Sequence, residues 1–232
     1  MSIKERLETL RRELPEGTKL IAVSKYHTEA EVMEAYDAGQ RLFGENRVQE
    51  LLPKEEHLPK DIEWHLIGTL QRNKVKYVVP FVSMIHSIDS LRLLQEVEKQ
   101  CVRLGRETLP VLLQIHISGE ETKHGFTEDE LQEFLQSGEI EGLKHAQICG
   151  LMGMAALTDD MSVVEGQFAH LQELFQSLKE GAFKECPHFS ELSMGMTHDY
   201  PLALKHGATF IRVGSGISVS YTHLTLPTTP YV

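Results

Sequence analysis

Lys25 closes the apolar run Lys19-Leu20-Ile21-Ala22-Val23-Ser24-Lys25, which reads as a buried strand delivering an amine to its C-terminal end. Desolvation disfavours an ammonium, so burial there lowers the pKa and leaves more of the amine neutral and nucleophilic. A neutral lysine amine at a strand tip is what Schiff-base formation with a carbonyl compound needs. Taken alone, the position fits a solvated lysine just past a strand end better. Two downstream segments reverse that balance. Leu192-Ser193-Met194-Gly195-Met196-Thr197 and Phe210-Ile211-Arg212-Val213-Gly214-Ser215-Gly216 each run from a short apolar strand into glycine and hydroxyl residues. Glycine lets backbone N–H groups approach an anion, and Ser or Thr hydroxyls add donors, so either loop can hold a phosphate. One Gly-x-Gly alone is more often a tight turn. Two such loops on the last two strands of an alternating chain match the phosphate position of eight-stranded α/β barrels. A lysine for an aldehyde and two loops for a phosphate together point to a phosphorylated aldehyde cofactor.

The elements that must position these residues alternate along the chain. Apolar, strand-like runs fall at 18–25, 41–45, 62–68, 83–89, 109–118, 145–154, 188–194 and 209–214. Between them lie helix-period stretches at 29–38, 47–58, 73–81, 90–104, 127–137, 163–179 and 199–206, and Ser2 caps an opening amphipathic helix that reaches about Leu14. Several runs are continuously apolar, as parallel strands covered on both faces are. The count is that of an α/β fold, a single (β/α)8 TIM-type barrel. A doubly wound open sheet is the alternative that periodicity leaves standing. No Gly-x-Gly-x-x-Gly follows the first strand and no Walker loop is present, which argues against its nucleotide-binding form.

At 232 residues and 41% hydrophobic, the chain suits one large domain. A net charge of −11, with lysines and arginines scattered and no basic run, argues against nucleic acid as a partner. No apolar run approaches bilayer-spanning length and Met1-Ser2-Ile3-Lys4-Glu5-Arg6 is no signal segment, so a cytoplasmic protein without a membrane partner is expected. Cys101, Cys149 and Cys186 are odd in number and widely spaced, as reduced, buried thiols would be. The 12 histidines form no His-Glu-x-x-His or Cys/His cluster, so no metal site is expected. The pattern breaks after Ile217. Residues 218–232 are Thr/Pro-rich and carry no acidic or basic side chain, and they read as foreign or disordered tail sequence appended to a barrel spanning 1–217.

With these residues in place, the chain resembles the pyridoxal phosphate homeostasis protein family, also called the PLP-binding or proline synthetase co-transcribed family. The resemblance spans about 1–217 and rests on ordered blocks. Among them are Ala22-Val23-Ser24-Lys25, Phe43-Gly44-Glu45-Asn46-Arg47-Val48-Gln49-Glu50, Trp64-His65-Leu66-Ile67-Gly68-Thr69, His86-Ser87-Ile88-Asp89, Ser193-Met194-Gly195-Met196 and Ile211-Arg212-Val213-Gly214. It implies a barrel like the N-terminal domain of alanine racemase, binding pyridoxal 5′-phosphate (PLP) as an internal aldimine on Lys25. The implied role is intracellular PLP, or vitamin B6, homeostasis with no established catalytic turnover; a monomer is expected, with PLP-dependent apo-enzymes as candidate partners. The family's phosphate contacts map onto Ser193, Thr197, Gly214 and Ser215, in loops that include Gly195, and its pyridine-facing arginine maps onto Arg212. Three departures stand out: threonine at 197 for serine, His116 for asparagine in the fifth strand, and no Phe-Gly-x-Arg ending after Ile217.

A permanent cation beside the pyridine nitrogen disfavours its protonation and weakens the ring as an electron sink, which suits a holder better than a carbanion-forming enzyme. Arg212 could instead be a barrel-interior arginine. Asn46 and Glu45 end the second strand and can meet ring substituents, with helix capping the competing role for Asn46. His65 and His86 read as satisfied interior histidines, and Trp64, Met152 and Met154 as packing. Two enzymes compete with the holder: a racemase-like one, whose second base would need a domain this chain has no room for, and a Schiff-base aldolase, which would lack bound PLP. A pure interaction protein would leave Lys25 and the paired loops unexplained.

Overall fold

The computed structural model describes residues 2–119 and 125–214. Eight strands run β1 (Lys19–Val23), β2 (Leu42–Glu45), β3 (Glu63–Leu66), β4 (Met84–Ile88), β5 (Leu109–Ile115), β6 (Ala146–Gly153), β7 (Glu191–Met196) and β8 (Phe210–Val213). Every neighbour pair is parallel, and the sheet closes in sequence order because β1 also pairs with β8, Lys19 opposite Phe210 and Ala22 opposite Val213. The closure excludes the open doubly wound sheet.

Side-chain alternation divides the core into two shells. Ile21, Met84, Leu112, Cys149, Met152 and Phe210 fill the barrel interior. Leu20, Ala22 and Phe43 face outward, where they meet Val32, Leu51 and Phe168 of the helices. Both faces of each strand are thus covered, which is why the runs are continuously apolar rather than alternating.

The helices are α1 (Ile3–Glu13), α2 (Glu29–Asp37), α3 (Val48–His57), α4 (Val75–Val78), α5 (Leu91–Leu104), α6 (Glu128–Gln136), α7 (Met161–Glu180) and α8 (Tyr200–Lys205). Three of them, α1, α2 and α6, open with full capping boxes, Ser2 with Glu5, Thr28 with Glu31 and Thr127 with Glu130. Such caps satisfy amide donors the helix cannot, worth about 1 kcal/mol each. The stretch expected as a helix over 73–81 is a 3₁₀ turn at Arg72–Lys74 followed by the four-residue α4, and Pro80, without an amide proton, blocks its continuation. β1 stops at Val23 and β5 at Ile115, so Lys25 and His116 both lie past strand ends rather than inside strands. Among the described residues, no helix is long and apolar enough to cross a membrane. Ser215 and the whole stretch 218–232 lie outside the described residues.

Candidate functional site

The C-terminal ends of the strands form a mouth, and Lys25 stands on its rim in the turn after β1. Its side chain is exposed, which corrects the expectation of a buried strand-end amine. The buried part of the segment is its neighbour Ser24, at 3% exposure, because its N–H still bonds to the Gly44 carbonyl of β2 although β1 ends at Val23. Lys25 Nζ lies 6.0 Å from the centre of the Tyr26 ring, itself in solvent.

The loops after β7 and β8 meet each other on the same rim. Gly195 sits at φ +88°, and a Cβ there would lie 2.6 Å from the Ala203 Cβ in α8, so only glycine lets the loop fold this close to the helix. The Gly214 N–H donates to Thr197 Oγ1 at 3.4 Å, which ties the two loops together. Asp199, 8% exposed, accepts the Met196 N–H and closes the turn. Asp199 was not singled out from the sequence, although its place just before Tyr200-Pro201 is a helix-start signal.

Below the loops a polar chain crosses the barrel interior. Arg212, 4% exposed, donates from Nη1 to Ser193 Oγ at 2.6 Å and from Nη2 to the Gly153 carbonyl at 3.1 Å. Ser193 Oγ is 2.9 Å from His86 Nδ1, and His86 Nε2 is 2.8 Å from His65 Nδ1. Arginine can only donate, so Ser193 Oγ accepts from it and keeps its own proton for His86 Nδ1; in that tautomer His86 Nε2 donates to His65 Nδ1. Burial, then the Lys19 charge, lowers the His65 pKa to about 3. Burial, followed by the charges of His65 and Arg212, holds His86 well below the ordinary imidazole value. Both rings are therefore neutral at physiological pH, which agrees with their reading as satisfied interior histidines. Burial lowers the Arg212 pKa to about 10, with Asp199 opposing the shift, so it stays a cation.

Ser193 was expected in the phosphate loop. Its hydroxyl is instead fully buried and bonded to Arg212 and His86. Depth in the wall explains the difference: Ser193 pairs with Phe210 below the register shift that precedes Met196, whereas Thr197 lies beyond the end of β7.

Around the same mouth, past the ends of β2 and β3, a cleft of about 770 Å³ is lined by Asn46, Arg47, Gly68, Gln71 and Met154, among others. Asn46 does not cap α3, since the N-cap is Arg47, which makes no side-chain cap bond. The Asn46 Oδ1 atom is buried and has no hydrogen-bond partner among the described residues. Its backbone packs on Gly68, where a Cβ would lie 2.4 Å from the Asn46 carbonyl oxygen. Glu45, expected to face ring substituents, points instead into the helix layer, where it meets Ser24 and Lys54. Trp64 packs beside Phe43 outside the barrel, Met152 lies inside it and Met154 reaches the cleft. His116, half-buried, bonds through its N–H to the Phe126 carbonyl at 2.9 Å.

Comparison with known proteins fits this geometry. The family profile "Alanine racemase, N-terminal domain" matches residues 1–221. A pyridoxal phosphate homeostasis protein of Helicobacter pylori (strain ATCC 700392 / 26695) is 40% identical over 201 residues, covering 85% of both chains. One from Haemophilus influenzae is 36% identical over 221 residues, covering 93% of this chain and 91% of its own. Among solved structures, PipY of Synechococcus elongatus PCC7942 without PLP superposes with a TM-score of 0.87 at 40% identity, covering 93% of this chain and 99% of PipY. PipY with PLP bound gives 0.81 at 39% identity over the same shares. Alanine racemase from Bartonella henselae, at 16% identity and a TM-score of 0.67 over 93% of this chain and 57% of its own, shares the fold. Barrel, mouth and relatives agree, and the chain belongs to the pyridoxal phosphate homeostasis protein family.

Proposed function

We propose that this chain binds pyridoxal 5′-phosphate at the C-terminal mouth, holds it covalently through Lys25, and serves as a carrier in PLP homeostasis. The observation that carries the reading is convergence: the Lys25 amine, the joined loops at Gly195–Thr197 and Gly214, and the buried Arg212 all belong to strand ends at one mouth. The residues fit the group. A glycine-built loop with a threonine hydroxyl suits a phosphate, and the orphaned Asn46 Oδ1 offers an acceptor to a ligand hydroxyl. PipY, solved with PLP bound, is 39% identical and lends the cofactor's identity.

When bound, PLP would supply an electrophilic aldehyde, and Lys25 would supply the amine that holds it. The loops anchor the phosphate, with Ser215 completing the expected set. Ser193 acts one layer down, fixing the Arg212 guanidinium from below. Arg212 keeps a permanent cation in the site and so disfavours a protonated pyridine nitrogen. Racemase or decarboxylase turnover of amino acids is therefore expected near background, with PLP-dependent apo-enzymes as the recipients of the cargo. Robust racemisation of alanine that depends on Lys25 would instead make the protein an enzyme.

Retention of PLP against pyridoxal tests the phosphate assignment. Thr197→Ala should weaken PLP retention by about 1–2 kcal/mol, the scale of a hydrogen bond to a charged group, and leave pyridoxal binding unchanged. Equal retention of both aldehydes by the unaltered protein would mean that these loops do not hold a phosphate.

A further inference from the structure

Both neighbours of Lys25 are tied by their backbones to α3. Lys54 Nζ donates to the Ser24 carbonyl at 2.7 Å and also pairs with the Glu45 carboxylate. Ser24 Oγ donates to the same Glu45 oxygen at 2.8 Å. Across the lysine, the Tyr26 N–H donates to Glu50 Oε2 at 3.1 Å, and the His27 N–H turns back to the Ser24 carbonyl at 3.1 Å. Lys25 itself stands at the crown of this arch, exposed.

Two features of the arch are poor choices for stability alone. Glu45 and Lys54 are 0% and 6% exposed, and Glu45 Oε2 has no hydrogen-bond partner among the described residues. A buried ion pair that leaves a lone pair unsatisfied is seldom better than apolar residues of the same volume. Tyr26 adopts φ +65°, a left-handed conformation that a bulky residue rarely takes, while its ring is 72% exposed and gains little packing in return. Strain of this kind persists where the surroundings over-determine it, and here they do so on both sides of a single residue.

We propose that Glu45, Lys54 and Glu50 are positioning residues that fix the Ser24–Lys25–Tyr26 backbone and so aim the Lys25 amine across the mouth. This rests on Lys25 being the residue that bonds the PLP aldehyde. Glu45 and Lys54 are buried between β2 and α3, away from the mouth, so they act on PLP only through the arch; Glu50 also borders the cleft, where a direct effect would fall alike on ligands with and without the aldehyde. Their effect belongs to the carbon–nitrogen bond and not to the phosphate loops after β7 and β8.

Pyridoxine 5′-phosphate isolates that effect, since it keeps the ring and phosphate but carries an alcohol where PLP has its aldehyde. In Lys54→Met, PLP affinity should fall about tenfold, the change one charge-assisted hydrogen bond is worth, while pyridoxine 5′-phosphate affinity changes less than about twofold. Glu50→Ala removes the other tie without leaving a buried charge, and it should show the same split if Lys54→Met folds poorly. Lys54→Arg, which still donates to both partners, should restore much of the PLP affinity. A parallel loss of both ligands would reduce the arch to ordinary fold stability and overturn the inference, as would unchanged PLP binding in both variants. Borohydride trapping of the unaltered protein separates the two claims. An adduct on another lysine would remove both, whereas an adduct on Lys25 with unchanged variants would remove only the role of the arch.

Discussion

At the residue scale, one side chain type can serve opposite ends depending on where burial leaves it. His65 and His86 are neutral links in an interior chain, and their burial has a measurable consequence. Their folded pKa values lie below the unfolded value, so the unfolded chain takes up protons first as pH falls. Their contribution is complete above about pH 6.5 and declines below it, toward pH 3 for His65, at up to about 1.4 kcal/mol per pH unit for each ring. Urea midpoints measured at pH 7 and pH 5 should show the fold losing about 2 kcal/mol per buried histidine, and His65→Phe should flatten that dependence. An equally steep loss in the variant would mean that other groups govern acid stability. Lys25 and Arg212 were legible as residues because their types are unusual beside an apolar run. The directions of Glu45 and Ser193 were not, since one residue of register or two of depth moves a side chain from mouth to helix layer or from loop to core.

At the element scale, all eight strands were legible as continuous apolar runs, because both faces of a parallel barrel strand are buried, whereas closure into a barrel rather than an open sheet was not. Element ends were less legible. Strand β1 gives out two residues before the lysine it was thought to carry, and that changes Lys25 from a buried amine to an exposed one on a tethered turn. Lys54 carried only a faint signal, a lysine three residues after Leu51 on the face of α3 that packs inward. The β7–α8 loop makes its own prediction. Gly195→Ala must adopt φ near +88° and push against Ala203, so it should lower stability by about 1–3 kcal/mol and weaken phosphate-bearing ligands more than pyridoxal. A neutral effect on both would show that the loop relaxes freely and does not depend on this close contact.

At the scale of the whole molecule, the barrel divides labour along its axis. The interior holds a neutral, hydrogen-bonded histidine chain beneath one buried cation, and the mouth gathers a lysine from β1 with loops from β7 and β8. Because β8 closes onto β1, residues nearly two hundred positions apart in sequence share one rim. Of the proposals made for this protein, attachment at Lys25 is the one on which the others depend. Incubation with PLP, reduction with borohydride and mass mapping of the peptides test it most directly. The pyridoxyl group should appear on Lys25, and Lys25→Ala should abolish both the violet absorption and the adduct. An adduct on another lysine, or undiminished absorption in Lys25→Ala, would contradict the assignment.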